Sequence, residues 1–102
     1  SFQEELQREL PQGHLLQQLE VKALARREGR DDFLFGVAAE HFHYARVHLT
    51  WAVESDPKWP WTEVFDNLQD WAKAVSRDRA EPLTLLFRPG FVRYSTTRGH
   101  AR

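Results

Sequence analysis

The chain opens with apolar side chains that recur every four residues. Phe2, Leu6 and Leu10 have this spacing, which places them on one face of an α-helix. Pro11 and Gly13 follow directly, and both residue types commonly end a helix. The pattern therefore predicts a short amphipathic helix at the N-terminus.

The next segment fits two structures. As a helix over residues 14–28 it aligns three apolar side chains on one stripe. As a strand over residues 20–27 it alternates apolar side chains with a set that is polar except for Leu24. Residues 29–32 have the composition of a turn, and an apolar run over residues 33–38 follows at once. This context favours a β-hairpin, and the helical alternative stays open.

The clearest strand pattern covers residues 42–52. One face of this strand is apolar and the other is mainly polar, with Ala45, Val47, Leu49 and Trp51 opposed to Phe42, Tyr44, Arg46, His48 and Thr50. Together with the preceding hairpin, the strand predicts a three-stranded antiparallel meander. Such a sheet has one covered face and one solvated face.

A second helix is predicted after a proline-containing loop over residues 54–60. Its apolar side chains recur at helical spacing, and Asp66 is its expected N-cap. We expect the stripe formed by Leu68, Trp71 and Val75 to pack on the sheet face that carries Val47, Leu49 and Trp51.

The loop itself contains Trp59 and Trp61 on either side of Pro60. Tryptophans at such positions usually bury themselves and fix a long loop to the core, so we expect both to be buried. The alternative is a pair of exposed stacking aromatics beside Glu63, as in sites that bind sugars or amines.

Two strand-like runs close the chain, over residues 83–88 and 91–95, and are separated by Pro89 and Gly90. They form a hairpin or lie irregularly against the core. The whole pattern predicts a single α+β domain over residues 1–102, with an N-terminal helix, a three-stranded antiparallel meander, an amphipathic helix and a C-terminal strand-like arm.

Composition narrows the class of protein. In 102 residues, 41% are hydrophobic and 28% are charged, and cysteine is absent, which excludes a disulfide scaffold and a cysteine nucleophile. The sequence contains no run of about 18 apolar residues, which is the length that a membrane-spanning helix requires. No glycine-rich phosphate loop or dinucleotide fingerprint occurs, so we expect no cofactor. Methionine is absent and Ser1 begins the chain, which leads us to expect a processed bacterial protein in the cytoplasm.

The strand over residues 47–51 has the sequence VHLTW, residues 59–65 have the sequence WPWTEVF, and Trp71 follows in the predicted helix. These features resemble a family of small uncharacterised bacterial proteins that share a hydrophobic-His-Leu-Thr-Trp strand and a Trp-Pro-x-Thr-Glu loop. The resemblance covers roughly residues 20–75. It implies one small domain of bacterial cytoplasmic origin and no particular activity.

The candidate site residues lie on the polar face of the central strand and beside it. Four project from that strand and two from the preceding hairpin: Tyr44, Arg46, His48, Thr50, Lys22 and Arg26. A polar and aromatic face of this kind can hold an anion or a carboxylate-bearing partner. As a catalytic site it would need a carboxylate that orients His48.

His41 and His43 form a His-x-His pair, a spacing that suits two ligands of a zinc or iron site. A metal site needs at least a third protein ligand, and the sequence does not identify one. We therefore predict no metal and keep this pair as the weaker candidate.

Three functions are compatible with these residues. The favoured one is a non-enzymatic binding or accessory protein, similar to immunity, adaptor or regulatory proteins, whose partner is another protein; a homodimer is also open. The second is a small enzyme that uses His48 or a metal at His41 and His43. The third is a nucleic-acid-binding module that uses Lys22, Arg26, Tyr44, Arg46 and the four arginines of the basic C-terminal tail.

Overall fold

The computed structural model describes residues 1–27, 30–79, 84–88 and 91–95. These residues form two helices and six strands in the order α1 (Phe2–Glu9), β1 (Val21–Arg27), β2 (Asp32–Val37), β3 (Tyr44–His48), β4 (Thr62–Phe65), α2 (Leu68–Arg79), β5 (Thr84–Arg88) and β6 (Phe91–Ser95). The α+β class predicted from the sequence is confirmed. Within the described ranges, neither helix has the length and apolar character that a bilayer crossing requires.

The strands form one sheet in the order β4-β3-β2-β1-β6-β5. β1 and β2 pair antiparallel, so the ambiguous segment is a strand of a hairpin, as favoured. β5 and β6 also form a hairpin, and β6 joins the sheet parallel to β1. The predicted three-stranded meander is therefore too small, because β4 and the C-terminal hairpin both extend it.

Each face of the sheet has its own apolar core. On the first face, α1 and the segment that follows it bury Leu6 and Leu16 against Phe33, Phe35 and Val47. This surface is called the α1 face below. On the opposite face, the α2 face, Trp71, Ala74 and Val75 pack with apolar residues of the sheet, namely Ala25, Leu34, Phe65 and Tyr94.

The predicted packing side of α2 is wrong. Val47 and Leu49 belong to the α1 core, whereas α2 lies on the face that carries Arg46. Trp71 makes an edge-on contact with Tyr94, with ring centroids 5.0 Å apart. Because β6 supplies Tyr94, the strand that anchors α2 was absent from the predicted meander.

The predicted central strand is also too long. β3 ends at His48, and Trp51 has a left-handed backbone with a φ of 60°, which is incompatible with a continuing strand. The Trp51 side chain is 46% exposed, so it does not belong to the covered face of the sheet.

The start of α2 differs from the prediction as well. Asn67, not Asp66, provides the capping oxygen, since its Oδ1 accepts the backbone N–H of Asp70 at 2.8 Å. Leu68 is 46% exposed, so only Trp71 and Val75 of the expected stripe enter the core.

Candidate binding surface

Arg46 and Glu63 form the centre of a polar cluster on the α2 face. They are directly opposed on β3 and β4, and an Arg46 nitrogen, Nη2, donates to Glu63 Oε1. The Arg46 guanidinium also lies 5.3 Å from the centre of the Trp61 ring, within the range of a cation–π interaction. Arg46 is buried, and these two contacts hold its charged group next to the exposed ring of Trp61.

His48 lies beside this cluster and has a carboxylate partner. Its Nδ1 is 2.7 Å from Asp32 Oδ1, because Asp32 and His48 are opposed in the β2–β3 register. The other Asp32 oxygen, Oδ2, is 3.7 Å from Nη1 of Arg27. Asp32 thus links an exposed imidazole to a largely buried arginine.

Tyr94 lies beneath these charges. Burial raises the pKa of its phenol well above the ordinary value, and the negative charge of Asp32 raises it further, while the positive charges of Arg46 and Arg27 lower it. The Tyr94 hydroxyl therefore keeps its proton throughout the physiological range and acts as a neutral support for the cluster.

Trp61 and Trp59 are exposed, which contradicts the expectation that both are buried. Their exposed fractions are 44% and 42%, and Pro60 between them is buried instead. The loop is fixed by hydrogen bonds: His14 Nδ1 accepts the Leu16 N–H at 3.0 Å, which leaves Nε2–H to donate to the Pro60 carbonyl at 3.0 Å. Polar contacts therefore position this loop, and the two indole rings face solvent.

These residues form one surface at the end of the sheet where β2 begins and β3 ends. It is called the Trp61 surface below and consists of Arg27, Asp32, Arg46, His48, Trp61 and Glu63. Its arginines are paired with carboxylates of opposite charge, which hold them in place. The surface therefore presents an aromatic ring and polar groups that are already positioned.

Only two of the six predicted site residues belong to the Trp61 surface, namely Arg46 and His48. Tyr44 shares their face but lies at the start of α2, where it lines an open cavity of about 370 Å³ with Asp66 and Asn67. Lys22 is exposed on β1, two strands away from β3.

Arg26 and Thr50 are directed elsewhere. Arg26 lies on the α1 face, over the rings of Phe2 and Phe33 at 5.7 and 5.0 Å, because a register shift in β1 follows Ala23. The Thr50 hydroxyl lies 3.1 Å from Glu9 Oε1 and 2.6 Å from Glu54 Oε2 and is turned toward α1. The predicted site is thus divided between the two faces of the sheet.

The His41 and His43 pair precedes β3, and each imidazole lies near one carboxylate. His41 Nε2 is 3.5 Å from Glu40, and His43 Nδ1 is 3.8 Å from Asp66. Both imidazoles are exposed. Within the residues that the structure describes, no three histidine or carboxylate side chains are grouped in a way that could hold a metal ion.

Sequence reasoning missed Asp32 and Arg27, and it considered Glu63 as a carboxylate beside exposed tryptophans without its contact to Arg46. The Asp32 contact required the register of the β2–β3 hairpin, which the alternation of residues 33–38 against residues 43–48 could have given. Glu63 required the recognition of β4, whose four residues carry a weak strand signal. The basic tail of the nucleic-acid hypothesis lies largely outside the described residues.

A buried carboxylate forms a second polar centre on the α1 side. Glu9 is fully buried and accepts the backbone N–H groups of Thr50 at 2.9 Å and Trp51 at 2.7 Å. The Thr50 hydroxyl donates to Glu9 at 3.1 Å and lies 2.6 Å from Glu54. This carboxylate fixes the chain where β3 ends.

Comparison with known proteins gives no relative: no protein-family profile, no curated protein and no solved structure matches the chain.

Proposed function

We propose that this chain is a non-enzymatic binding protein that engages another protein through the Trp61 surface. An immunity-, adaptor- or regulator-like role in the bacterial cytoplasm belongs to this proposal. The observation that carries it is the exposure of Trp61 beside a buried arginine whose position is already fixed. Tryptophan and arginine are the residue types that most often dominate the energy of protein interfaces.

The support for binding comes from pre-organisation. Arg46 and Glu63 hold each other, and Asp32 holds His48 at 2.7 Å, so little side-chain freedom is lost when a partner covers them. The Trp61 ring offers a large apolar area with few rotatable bonds. A surface of this composition resembles the core and rim of a small interface.

The test compares partner capture by the wild type, Trp61→Ala and a matched control, Trp51→Ala. Trp51 is equally exposed, at 46% against 44%, and its backbone is fixed to α1 through Glu9. Proteins retained from a lysate of the source organism are identified, and the purified partner is titrated by calorimetry. We expect Trp61→Ala to weaken binding by about tenfold or more and Trp51→Ala to leave it unchanged. Equal binding by all three proteins would contradict the proposal.

A hydrolase that uses His48 is the second candidate, favoured by the Asp32 contact. Asp32 orients the ring through Nδ1, so Nε2 is available as a general base in the way that a histidine–carboxylate pair activates water or a hydroxyl. Thr50 cannot be the nucleophile here, since it is held by Glu9 and Glu54, and water would take that role. Hydrolysis of a panel of activated esters that is lost in both His48→Ala and Asp32→Asn supports this candidate, and equal rates in all three proteins exclude it.

A further inference from the structure

Among the strands that the structure describes, β4 is an end strand of the sheet. The His48 N–H donates to the Trp61 carbonyl at 3.0 Å, so the alternation of an antiparallel ladder directs the backbone of Trp61 and Glu63 toward β3 and that of Thr62 and Val64 outward. Among the described residues, none makes a backbone hydrogen bond with Thr62 or Val64 on that side. Such an edge can pair with a further strand.

The side chains on the α2 face of β4 favour a cation at the neighbouring position. Arg46, the β3 neighbour, bonds Glu63 and lies over the ring of Trp61. A strand added on the outer side would place side chains next to the same carboxylate and the same ring, because opposed residues of neighbouring strands share a face. Within the described part of the chain, Glu63 accepts a hydrogen bond through Oε1 and none through Oε2, and its side chain is 36% exposed.

The charge around β4 selects between the occupants of this edge. Residues 54–70 contain five carboxylates and one lysine, so the strand lies in an acidic segment. A second copy of the chain, paired antiparallel, would bring Glu63 close to its own counterpart, and like charges on neighbouring strands destabilise pairing. The carboxylates of this segment also repel an anionic ligand such as polyphosphate.

We propose that β4 is the docking edge for an extended segment of another protein that carries lysine or arginine at alternate positions. Its backbone pairs with Thr62 and Val64, and its basic side chains contact Glu63 and Trp61. This inference rests on the proposed function, since Trp61 belongs to both, and it adds the conformation and charge of the partner.

The test is a titration of the full ¹⁵N-labelled chain with a blocked octapeptide that alternates lysine and valine. In the paired complex, lysines lie opposite Glu63 and valines lie opposite Thr62 and Val64, so only the valine N–H groups face β4. We expect slowed solvent exchange at the Thr62 and Val64 amides. N-methylation of the valines should weaken binding by about tenfold or more, while N-methylation of the lysines should leave it unchanged.

Two protein variants and one further peptide complete the test. Trp61→Ala should weaken peptide binding and Trp51→Ala should not, and a peptide with glutamate in place of lysine should not bind. No binding of the lysine peptide, or equal binding of the valine-methylated peptide, overturns the proposal. Peptide-induced changes at His48 and Trp61 without protection at Thr62 and Val64 overturn the edge proposal and leave the Trp61 surface intact. Protection of these amides by self-association, detected by sedimentation without peptide, makes a second copy the occupant and also overturns it.

Discussion

The buried carboxylate of Glu9 yields the most direct test of the fold. Three donors converge on it: the backbone N–H groups of Thr50 and Trp51 and the Thr50 hydroxyl. They hold the chain at the point where β3 ends and Trp51 adopts its left-handed backbone. Replacing Glu9 therefore disturbs both the attachment of α1 and the path of the following loop.

The size of the effect follows from the number of donors left without an acceptor. Glu9→Ala leaves two partly buried backbone N–H groups without their acceptor, at about 1–3 kcal/mol each, and we expect a total loss of about 2–5 kcal/mol in the free energy of unfolding. Glu9→Gln keeps one oxygen but turns an NH₂ group toward one of the two N–H donors, whichever way the amide is oriented. We expect about 1–3 kcal/mol for that variant.

The pH dependence of the free energy of unfolding distinguishes the contribution of Glu9 from that of Glu5. Burial raises the pKa of Glu9 above its ordinary value of 4.5, and the contact with the Glu5 carboxyl raises it further, although the donors from Thr50 and Trp51 act in the opposite direction. The folded state then binds this proton more tightly than the unfolded state. The stabilisation is complete below pH 4.5 and is lost as the pH rises through the folded pKa, by at most about 1.4 kcal/mol per pH unit. The pKa of Glu5 is lowered, chiefly by Arg8. The contribution of Glu5 to stability is therefore lost as the pH falls, which is the opposite direction.

Urea unfolding between pH 4 and pH 8 measures both the loss of stability in the Glu9 variants and its dependence on pH. The difference between the wild type and Glu9→Gln reports the titration of Glu9 together with its contact to Glu5, and Glu20→Gln, at an exposed position, is the matched control. We expect the stability of the wild type relative to Glu9→Gln to decrease as the pH rises above 4.5. Parallel curves, or a loss below about 1 kcal/mol in Glu9→Ala, would refute the argument.

Three further substitutions test the packing. Trp71→Ala removes a buried ring that contacts Tyr94 and should cost about 3–5 kcal/mol of unfolding free energy, and an unchanged melting temperature would contradict the position of α2. His48→Ala should cost about 1 kcal/mol or less, because the side chain is 54% exposed despite its Asp32 contact; a larger loss without an effect on binding would make it structural. His14→Ala leaves the Leu16 N–H without its acceptor and removes one of the two donors to the Pro60 carbonyl, which keeps the Thr62 hydroxyl; it should cost about 1–3 kcal/mol by chemical denaturation, whereas wild-type stability would refute that role.

Local patterns predicted the elements whose residues alternate or repeat strongly. α1 and α2 were identified from periodicity, because each buries one side of a regular element, whereas the β1–β2 hairpin was favoured over a helix from the turn residues that follow β1. The alternation in β3 also separated Val47 from Arg46 and His48 correctly. These features depend on residues that are close in the sequence.

The remaining differences come from contacts between distant residues. The end of β3 is determined by Glu9, whose carboxylate captures Thr50 and Trp51 from about forty positions away. The side on which α2 packs is determined by Tyr94 of β6, which follows α2 in the sequence. Neither partner is visible in the local pattern of the segment that it controls.

The candidate site illustrates the same division. The sequence predicted the polar side chains of one strand as a group, whereas the structure covers one end of that face with α2 and leaves the other end exposed. Arg46 is consequently buried and paired, while His48, two residues further along, is exposed. An ion pair with a buried arginine is weak support for stability, since the desolvation of the arginine offsets much of the attraction. We therefore expect the Arg46–Glu63 pair to contribute less to stability than to the orientation of Trp61 and the charge of the β4 edge. These are the features that a partner would contact.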